Sequence, residues 1–508
     1  MFKIKKDISI IKYLLFFAAP IVAGFLILFV QLDPNNPSVT ATLAIAIWIA
    51  TWWVTEIIPI GITSLLPIVL FPLFGVMNGK AVSSAYFNHI IFLFIGGFMV
   101  ALAIQRWNLH KRIALVILNF VGNSPGKLLF GFMFTTAFLS MWISNTATAM
   151  LMVPIIISII HKLEIINGKK AVQLFSIGLL IAIAYSASIG GITTLVGTPP
   201  NLSFARIFEI YFPNAPEISF SKWMLFALPI TIIMFAITWV YLYFVFIKKG
   251  GSWKSVGNYQ LKKELHNLGA MSYEEKVVGI VFLLLALLWM TRANINIGSF
   301  QIIGWSSLFN NPSFINDGTI AITMAIILFV IPSKANKGEF LMDWKTAEKI
   351  PWEIILLFGG GFALASGFKE SGLSAWFGNE LMFLGSVSPL LLIFTISFLI
   401  TFLTEITSNT ATVETILPIL AGIAISLNVN PLLFMIPATV SASFAFMLPV
   451  ATAPNAIIFG TKRITILRMA KTGFVLNLIG IAVVTLVTYF WGMNIFEIDV
   501  NSMPIWVK

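Results

Sequence analysis

The sequence predicts an all-α polytopic membrane protein, and three observations support this fold class. Of the 508 residues, 58% are hydrophobic and only 10% are charged, whereas a soluble domain has roughly 25% charged residues. Apolar segments of about 20 residues, the length that crosses a bilayer core, recur along the chain. Several features also occur twice in register. We expect about eleven transmembrane helices and two re-entrant hairpins in an inverted repeat.

The chain starts with a basic and then apolar stretch that is similar to a secretory signal. No small-residue cleavage site follows before Asp33 and Pro34, so residues 1–38 are interpreted as an N-terminal arm and a retained first helix. The absence of cysteine excludes disulfides and thiolate metal sites. A net charge of +11 could suggest nucleic acid as a partner, but in a membrane protein the distribution of charge matters more.

Hydropathy places the crossings and separates two longer stretches from them. The stretches 126–160 and 388–424 are too long for one simple span and carry Ser-Asn-Thr near the middle. A hairpin that enters the membrane and returns on the same side has this pattern. The predicted crossings are 11–30, 39–58, 60–77, 88–107, 172–208, 222–247, 275–292, 316–332, 352–369, 431–461 and 470–491.

Basic residues indicate the orientation, because cytoplasmic loops are enriched in Lys and Arg. With the N-terminus cytoplasmic and the C-terminus external, almost all of the 31 Lys and Arg lie on cytoplasmic segments. Residues 248–274 are then a cytoplasmic linker between the two halves, and residues 493–508 are an external tail. The exceptions to the cytoplasmic bias are Lys80, Arg206, Lys222, Arg292, Lys369 and Lys508.

Features of the first half, 39–247, recur in the second half, 275–492, at one constant spacing, which indicates an internal repeat. Each half holds an odd number of crossings, so the halves have opposite orientations, as in secondary transporters. The matched sets are Phe94, Gly96, Gly97 and Phe98 with Phe358, Gly360, Gly361 and Phe362; Ser144, Asn145, Thr146, Ala147 and Thr148 with Ser408, Asn409, Thr410, Ala411 and Thr412; and Pro154 with Pro418.

Two of the predicted crossings contain residues that break helices. The crossing 172–208 carries Gly197-Thr198-Pro199-Pro200-Asn201, and 431–461 carries the related Ala451-Thr452-Ala453-Pro454-Asn455. Unpaired backbone at membrane depth survives only where it lines a polar cavity. A lone small polar trio in a membrane helix is more often a packing position, but two copies, each with a helix break, favour one site of pseudo-twofold symmetry. Helix ends at such a site attract anions and cations.

At these motifs the chain resembles the divalent anion–sodium symporter family over nearly its whole length. The resemblance implies substrate contacts that hold two carboxylates and two sodium sites, with no arginine needed. Ala453 departs from the family pattern, in which proline is expected, and leaves the substrate open. The implied substrate residues are Asn145, Thr146, Thr198, Asn409, Thr410 and Thr452. The implied sodium residues are Ser140, Ser144, Asn145 and Gly197 in one site, and Thr404, Ser408, Asn409 and Ala451 in the other.

The resemblance further implies a homodimer in the inner membrane, with a fixed scaffold domain and a transport domain that moves like an elevator. The expected function is sodium-coupled symport of succinate, fumarate or malate. A sodium-independent dicarboxylate exchanger, or a carrier of sulfate or citrate, is the alternative within the family.

Ionisable residues near the predicted hairpins permit other interpretations. Glu405 and Glu414 flank the second tip, where the first half has Met141 and Met150; proton coupling and a structural hydrogen bond are equally compatible with them. Glu56, at the end of the second predicted crossing, is compatible with a position at the membrane–water interface or with a contact in the scaffold domain. A membrane-embedded enzyme is disfavoured because none of the four His lies near a hairpin tip, and a passive channel is disfavoured by the occluded site.

Overall fold

The computed structural model describes residues 2–122, 124–248, 259–297, 300–383, 387–500 and 502–507. Residues 2–13, 259–261, 296–297 and 300 are described by their backbone only. The predicted linker lies partly outside the described residues, since 249–258 are not among them. Its described part contains one helix.

The first half of the chain is helical. Its helices are α1 (Phe2–Phe29), α2 (Pro37–Thr55), α3 (Ile60–Thr63), α4 (Leu66–Leu73), α5 (Gly79–Ala85), α6 (His89–Arg106), α7 (Leu109–Val121), α8 (Pro125–Ser140), α9 (Asn145–Asn167), α10 (Lys169–Gly191), α11 (Pro199–Tyr211) and α12 (Phe220–Leu242), which a π-helical turn (Tyr243–Ile247) extends.

The second half follows the same order after the linker helix α13 (Tyr259–Asn267). Its helices are α14 (Tyr273–Arg292), α15 (Asp317–Val330), α16 (Trp344–Ala347), α17 (Trp352–Glu370), α18 (Leu373–Glu380), α19 (Pro389–Thr404), α20 (Asn409–Ser426), α21 (Leu432–Ser441), α22 (Ala453–Gly460), α23 (Ile466–Val487) with a π-helical turn (Thr488–Gly492), and α24 (Met493–Ile495).

Two short strands lie between α14 and α15 in the otherwise helical chain. Strands β1 (Ile295–Ile297) and β2 (Phe300–Ile302) pair antiparallel, with Ile295 opposite Ile302. Ile and Phe at alternate positions favour a strand, but three residues are too few for the hydropathy pattern to reveal. Short 3₁₀ turns, Trp305–Leu308 and Pro312–Phe314, complete this connection between α14 and α15.

Each of the two predicted hairpin stretches contains two helices joined by a short turn, α8 with α9 and α19 with α20. Pro125 and Pro389 each occupy the first turn of the first hairpin helix, where the missing N–H costs no hydrogen bond. The second helix of the first hairpin continues to Asn167 rather than ending at 160. It ends there because Gly168 adopts a positive φ of 83°, a conformation that favours glycine.

Membrane-spanning length is common among the described helices. Eight are long and apolar enough to cross a bilayer: Pro37–Thr55, Gly79–Arg106, Asn145–Asn167, Lys169–Gly191, Phe220–Ile247, Trp352–Glu370, Asn409–Ser426 and Ile466–Ile495. Shorter apolar helices such as Asp317–Val330 accompany them. The chain is therefore a multi-pass membrane protein, and the count of eleven crossings stays a prediction.

The two halves interlock around the broken helices. Helix α10 is central, since every residue from Phe175 to Gly191 is buried. Helix α11 of the first half packs on α20, the second helix of the other half's hairpin, and α22 packs in the same way on α9. This exchange brings both hairpin tips and both breaks to one place.

Three consecutive glycines of α17 let other elements approach its backbone. A Cβ at Gly359 would collide with the ring of Tyr86, and one at Gly360 would meet Ser64 of the turn after α3. A Cβ at Gly361 would overlap the carboxyl group of Glu414 on α20. The glycine run therefore serves close helix packing.

Candidate functional site

A cavity of about 480 Å³ lies where the two hairpin tips meet the two helix breaks. Both Ser-Asn-Thr motifs and both Thr-(Pro/Ala)-Pro segments face it, together with the end of α2 and parts of α6 and α17. The residues from the paired motifs are Ser144, Asn145, Thr146, Gly197, Thr198, Pro199, Pro200, Ser408, Asn409, Thr410, Ala451, Thr452, Ala453 and Pro454.

Four helices begin at this cavity. Asn145 and Asn409 are the first residues of α9 and α20, and Thr198 and Thr452 precede the first residues of α11 and α22. The first N–H groups of a helix lack partners within it and carry partial positive charge. Four such ends suit a dianion better than an uncharged ligand.

The two tip asparagines are held by mirrored hydrogen bonds. Ser140 donates to Asn145 Oδ1 at 2.5 Å and lies 2.8 Å from the carbonyl of Ala187. In the second half, Thr404 Oγ1 is 2.7 Å from Asn409 Oδ1 and 2.9 Å from the carbonyl of Ala442. Each hydroxyl thus fixes the amide against its own half's broken helix.

A second pair of asparagines closes the helix breaks. Asn201 Nδ2 donates to the carbonyl of Thr194 at 2.7 Å and to that of Ile192 at 3.2 Å. Asn455 Nδ2 donates to the carbonyls of Ala445 and Leu448 at 2.9 and 3.0 Å. Both side chains are fully buried. They satisfy carbonyls that the unwound segments leave unpaired, which buried backbone requires.

The first break brings several neutral oxygen atoms close together. A Cβ at Gly191 would lie 2.5 Å from Asn145 Oδ1, and one at Gly197 would collide with the carbonyl oxygen of Gly191 and come within 3.0 Å of that of Ser140. The oxygens of Asn145, Gly191 and Ser140 therefore lie so close to Gly191 and Gly197 that no side chain would fit at these two glycines. Hard cations prefer such oxygen ligands, so the residues present suit the predicted sodium site.

The second break differs at the corresponding positions. Ala445 and Ala451 stand where the first half has Gly191 and Gly197, and Ala451 is buried. Thr404 and Asn409 still supply hydroxyl and amide oxygens. Although Ala453 replaces a proline, α22 begins at this residue, which matches Pro199 at the start of α11. Thr452 Oγ1 accepts from the N–H of Asn455 at 3.3 Å.

Glu405 stabilises the second break and is not exposed to the cavity. Its carboxylate accepts from the backbone N–H of Met447 at 2.8 Å and of Leu448 at 3.0 Å, and from Asn477 Nδ2 at 2.7 Å. In the first half, Thr194 links the carbonyl of Met141 to the N–H of Gly197. The structure supports the interpretation of Glu405 as a structural hydrogen-bonding group.

Two predicted site residues lie behind the cavity and several lining residues were not predicted. Ser140 and Thr404 are fully buried and reach the cavity only through their asparagines. Another part of the wall comes from α2, α6 and α17, and Glu56 is the only ionisable group among the described lining residues. The unpredicted lining residues include Trp53, Glu56, Phe94, Phe98, Ile354 and Thr407; the repeated Phe-Gly-Gly-Phe motif was the signal available for two of them.

Interrupted helices and hairpin tips that enclose a polar cavity inside an apolar bundle define the architecture of a membrane transporter. Two solved structures are similar in fold. The structure of Neisseria gonorrhoeae MtrF, which illuminates a class of antimetabolite efflux pumps, has a TM-score of 0.56 and 13% identity, and the match covers 84% of each chain. The Alcanivorax borkumensis YdaH transporter has a TM-score of 0.55 and 14% identity, over 84% of this chain and 89% of that chain.

Sequence comparison defines the family. The model of the sodium:sulfate symporter transmembrane region matches residues 9–498, so the chain belongs to this family, the divalent anion–sodium symporters that its motifs resemble. Two relatives carry the name sodium-dependent dicarboxylate transporter SdcS. The protein of Staphylococcus saprophyticus is 45% identical over 488 residues, which cover 95% of this chain and 92% of the relative. A protein of Staphylococcus aureus is 47% identical over 465 residues, which cover 91% of this chain and 87% of the relative.

Proposed function

We propose that this chain is a secondary active transporter that couples sodium entry to the uptake of C4 dicarboxylates such as succinate, fumarate and malate. The observation that carries the proposal is the convergence of both tip asparagines and both break threonines on one cavity. The names of the staphylococcal relatives support sodium as the coupling ion and a dicarboxylate as the substrate.

In the proposed mechanism, amide and hydroxyl groups of the two halves hold one carboxylate each. Asn145, Thr146 and Thr198 face the cavity from the first half, and their symmetry mates face it from the second. Helix N-termini add partial positive charge without a fixed cation. The symmetry mates are Asn409, Thr410 and Thr452.

Sodium is cargo in this mechanism and neutralises the substrate. Oxygens of Ser140, Asn145 and Gly191 lie close together and would bind the first sodium ion. Oxygens of Thr404 and Asn409 would bind the second. A dianion bound with sodium presents less net charge, and a less charged complex crosses the membrane interior at lower cost. Sodium thus favours movement of the loaded site.

We further propose that hairpins and broken helices move as a transport domain against a scaffold that includes α6 and α17. The orientation with the N-terminus cytoplasmic, the inner-membrane location and the homodimer belong to the same proposal. No catalytic activity is expected.

Uptake of labelled succinate into proteoliposomes tests the function. An inward sodium gradient is expected to drive accumulation, and an equal potassium gradient is not. Uptake that ignores sodium but requires internal dicarboxylate would identify an exchanger. Uptake of sulfate or citrate in place of succinate would change the substrate and keep the family.

A further inference from the structure

Glu414 is a fully buried acid outside the candidate site. It lies on α20, one helical turn beyond Thr410, and its side chain is inaccessible to solvent. Ser203 of α11 forms a short hydrogen bond with Oε1. Oε2 has no hydrogen-bond partner and lies against Gly361 of α17.

No cation compensates this carboxyl group in the described part of the chain. Its hydrogen bond to Ser203 is the one polar contact it makes there. Arg206 pairs with Glu209, and Lys369 binds the backbone carbonyls of Ile210 and Tyr211. The ionisable groups on the helices packed against α20 are Arg206, Glu209 and Tyr211 on α11, Glu353, Lys369 and Glu370 on α17, and Glu380 on α18; α2, α19 and α21 carry none.

An ionised carboxylate in this position is unfavourable. A buried charge without a partner costs several kcal/mol, roughly, and groups in such positions become neutral instead. A metal ion does not fit as the neutralising partner, because the glycine backbone closes on Oε2 and leaves no room for the several oxygens that a cation requires. The ligand that fits is a proton.

The corresponding positions of the first half carry neither group. Met150 on α9 matches Glu414, and Ile457 on α22 matches Ser203. Met150 is 55% exposed, whereas Glu414 is fully buried. The acid and the hydroxyl occur together in one half only, which points to a role beyond packing.

We propose that Glu414 is a proton-binding site of the transport cycle. The carboxyl group must carry a proton for α20 and α11 to lie against Gly361 of α17. This inference rests on the proposed function, in which α11 and α20 belong to the moving domain and α17 to the scaffold. The contact then forms only when the carboxyl is protonated. When the domain moves away from α17, the carboxyl loses the backbone that seals it and exchanges its proton.

The pH dependence of sodium-driven fumarate uptake tests the proposal. Fumarate is chosen because it is predominantly a dianion at about pH 5 and above. Proteoliposomes are assayed from about pH 5 to about pH 9. Wild-type uptake is expected to fall at alkaline pH by about tenfold per pH unit, the limit for loss of one proton. Glu414→Gln and Glu414→Met are neutral at every pH and are expected to stay within about twofold across this range. Glu380→Gln on α18 is the matched control and should behave as wild type.

The outcomes separate the inference from the proposed function. If wild type shows sodium-driven uptake but its pH profile is shared by both Glu414 variants, the proton site is wrong and the symport stands. If wild type shows no sodium-driven uptake at any pH, the proposed function fails first. Failure of both neutral variants to fold also contradicts the proton site, because they mimic the protonated form.

Discussion

At the scale of single residues, the site depends on Asn145 and Asn409 more than on any charged group. Each amide is fixed by one hydroxyl, from Ser140 or Thr404, so its oxygen is available to sodium and its nitrogen to the substrate. A fixed amide loses little entropy on binding. In the proposed mechanism, this preorganisation lets a site with no Lys or Arg among its described lining residues select a dianion.

Replacing either amide is expected to abolish transport and leave the fold intact. Asn145→Ala and Asn409→Ala each remove an oxygen and a donor from the cavity, and uptake should fall at least about a hundredfold, since two or more polar contacts are lost. Sodium-driven succinate uptake measures this, alongside size-exclusion chromatography. Asn310→Ala, at an exposed position, is the control; normal uptake by either cavity variant would contradict the site.

At the scale of the element, the two unwound segments are stable because buried amides pair with their carbonyls. Asn201 and Asn455 make these bonds in the first and second half. Glu405 and Asn477 support the second segment in addition. The first segment relies on Thr194 instead. The halves are related in sequence but differ in how the break is held.

Asn201→Ala is expected to destabilise the protein more than Asn455→Ala. Each change leaves buried carbonyls unpaired, at a cost of about 1–3 kcal/mol per group, but the second segment retains the bonds from Glu405. Thermal unfolding in detergent, with and without sodium, compares the variants. Equal losses of stability would show that Glu405 does not support the second break.

The start of α14 provides a prediction about pH. Burial alone raises the pKa of Glu274, but hydrogen bonds from the backbone N–H groups of Ala335 and Lys334 and from Ser333 outweigh it and lower the pKa to about 2. In the unfolded chain, the pKa of this carboxyl is near its ordinary value of 4.5. This contribution to stability is present above pH 4.5 and is lost as the pH falls toward 2.

Glu274→Gln should therefore be less stable than wild type at neutral pH, and the two should converge in acid. Melting temperatures measured between pH 7 and about pH 3 test this. Glu348→Gln, on an exposed residue outside the predicted crossings, should follow wild type throughout. A constant difference between Glu274→Gln and wild type at all pH values would refute the assignment.

At the scale of the whole molecule, the proposed elevator requires α11 to move relative to α6. His89 of α6 and Glu209 of α11 are in contact, with Nε2 and Oε2 3.4 Å apart. Arg463 and Glu164, 2.5 Å apart, connect two parts of the proposed transport domain. The first contact should break in each cycle, and the second should persist.

Cross-linking distinguishes these two contacts in a chain that has no native cysteine. A short bifunctional thiol reagent applied to His89→Cys/Glu209→Cys should stop uptake, and a cleavable reagent should allow recovery. The same treatment of Arg463→Cys/Glu164→Cys should leave uptake within about twofold of the untreated variant. Full uptake by the cross-linked first pair would exclude movement of α11 past α6.

Much of the architecture was predictable because it depends on local chemistry. Apolar length determines membrane helices, and the repeated Ser-Asn-Thr and helix-breaking segments indicated both hairpins and both breaks. Duplication also singled out the Ser-Asn-Thr and helix-break motifs that face the cavity, whereas Glu56 and Thr407 of its wall carry no such signal. Short elements such as the strands β1 and β2 fell below what hydropathy can detect.

The sequence by itself determined the fold class, the repeated organisation and the residues of the paired motifs. Only the tertiary structure decided which half each broken helix contacts, that Glu405 holds the second break, and that Glu414 meets Ser203 and Gly361. Local patterns specify helices and their ends, because those depend on neighbours along the chain. Partners far apart in sequence are chosen by packing, which no single segment encodes.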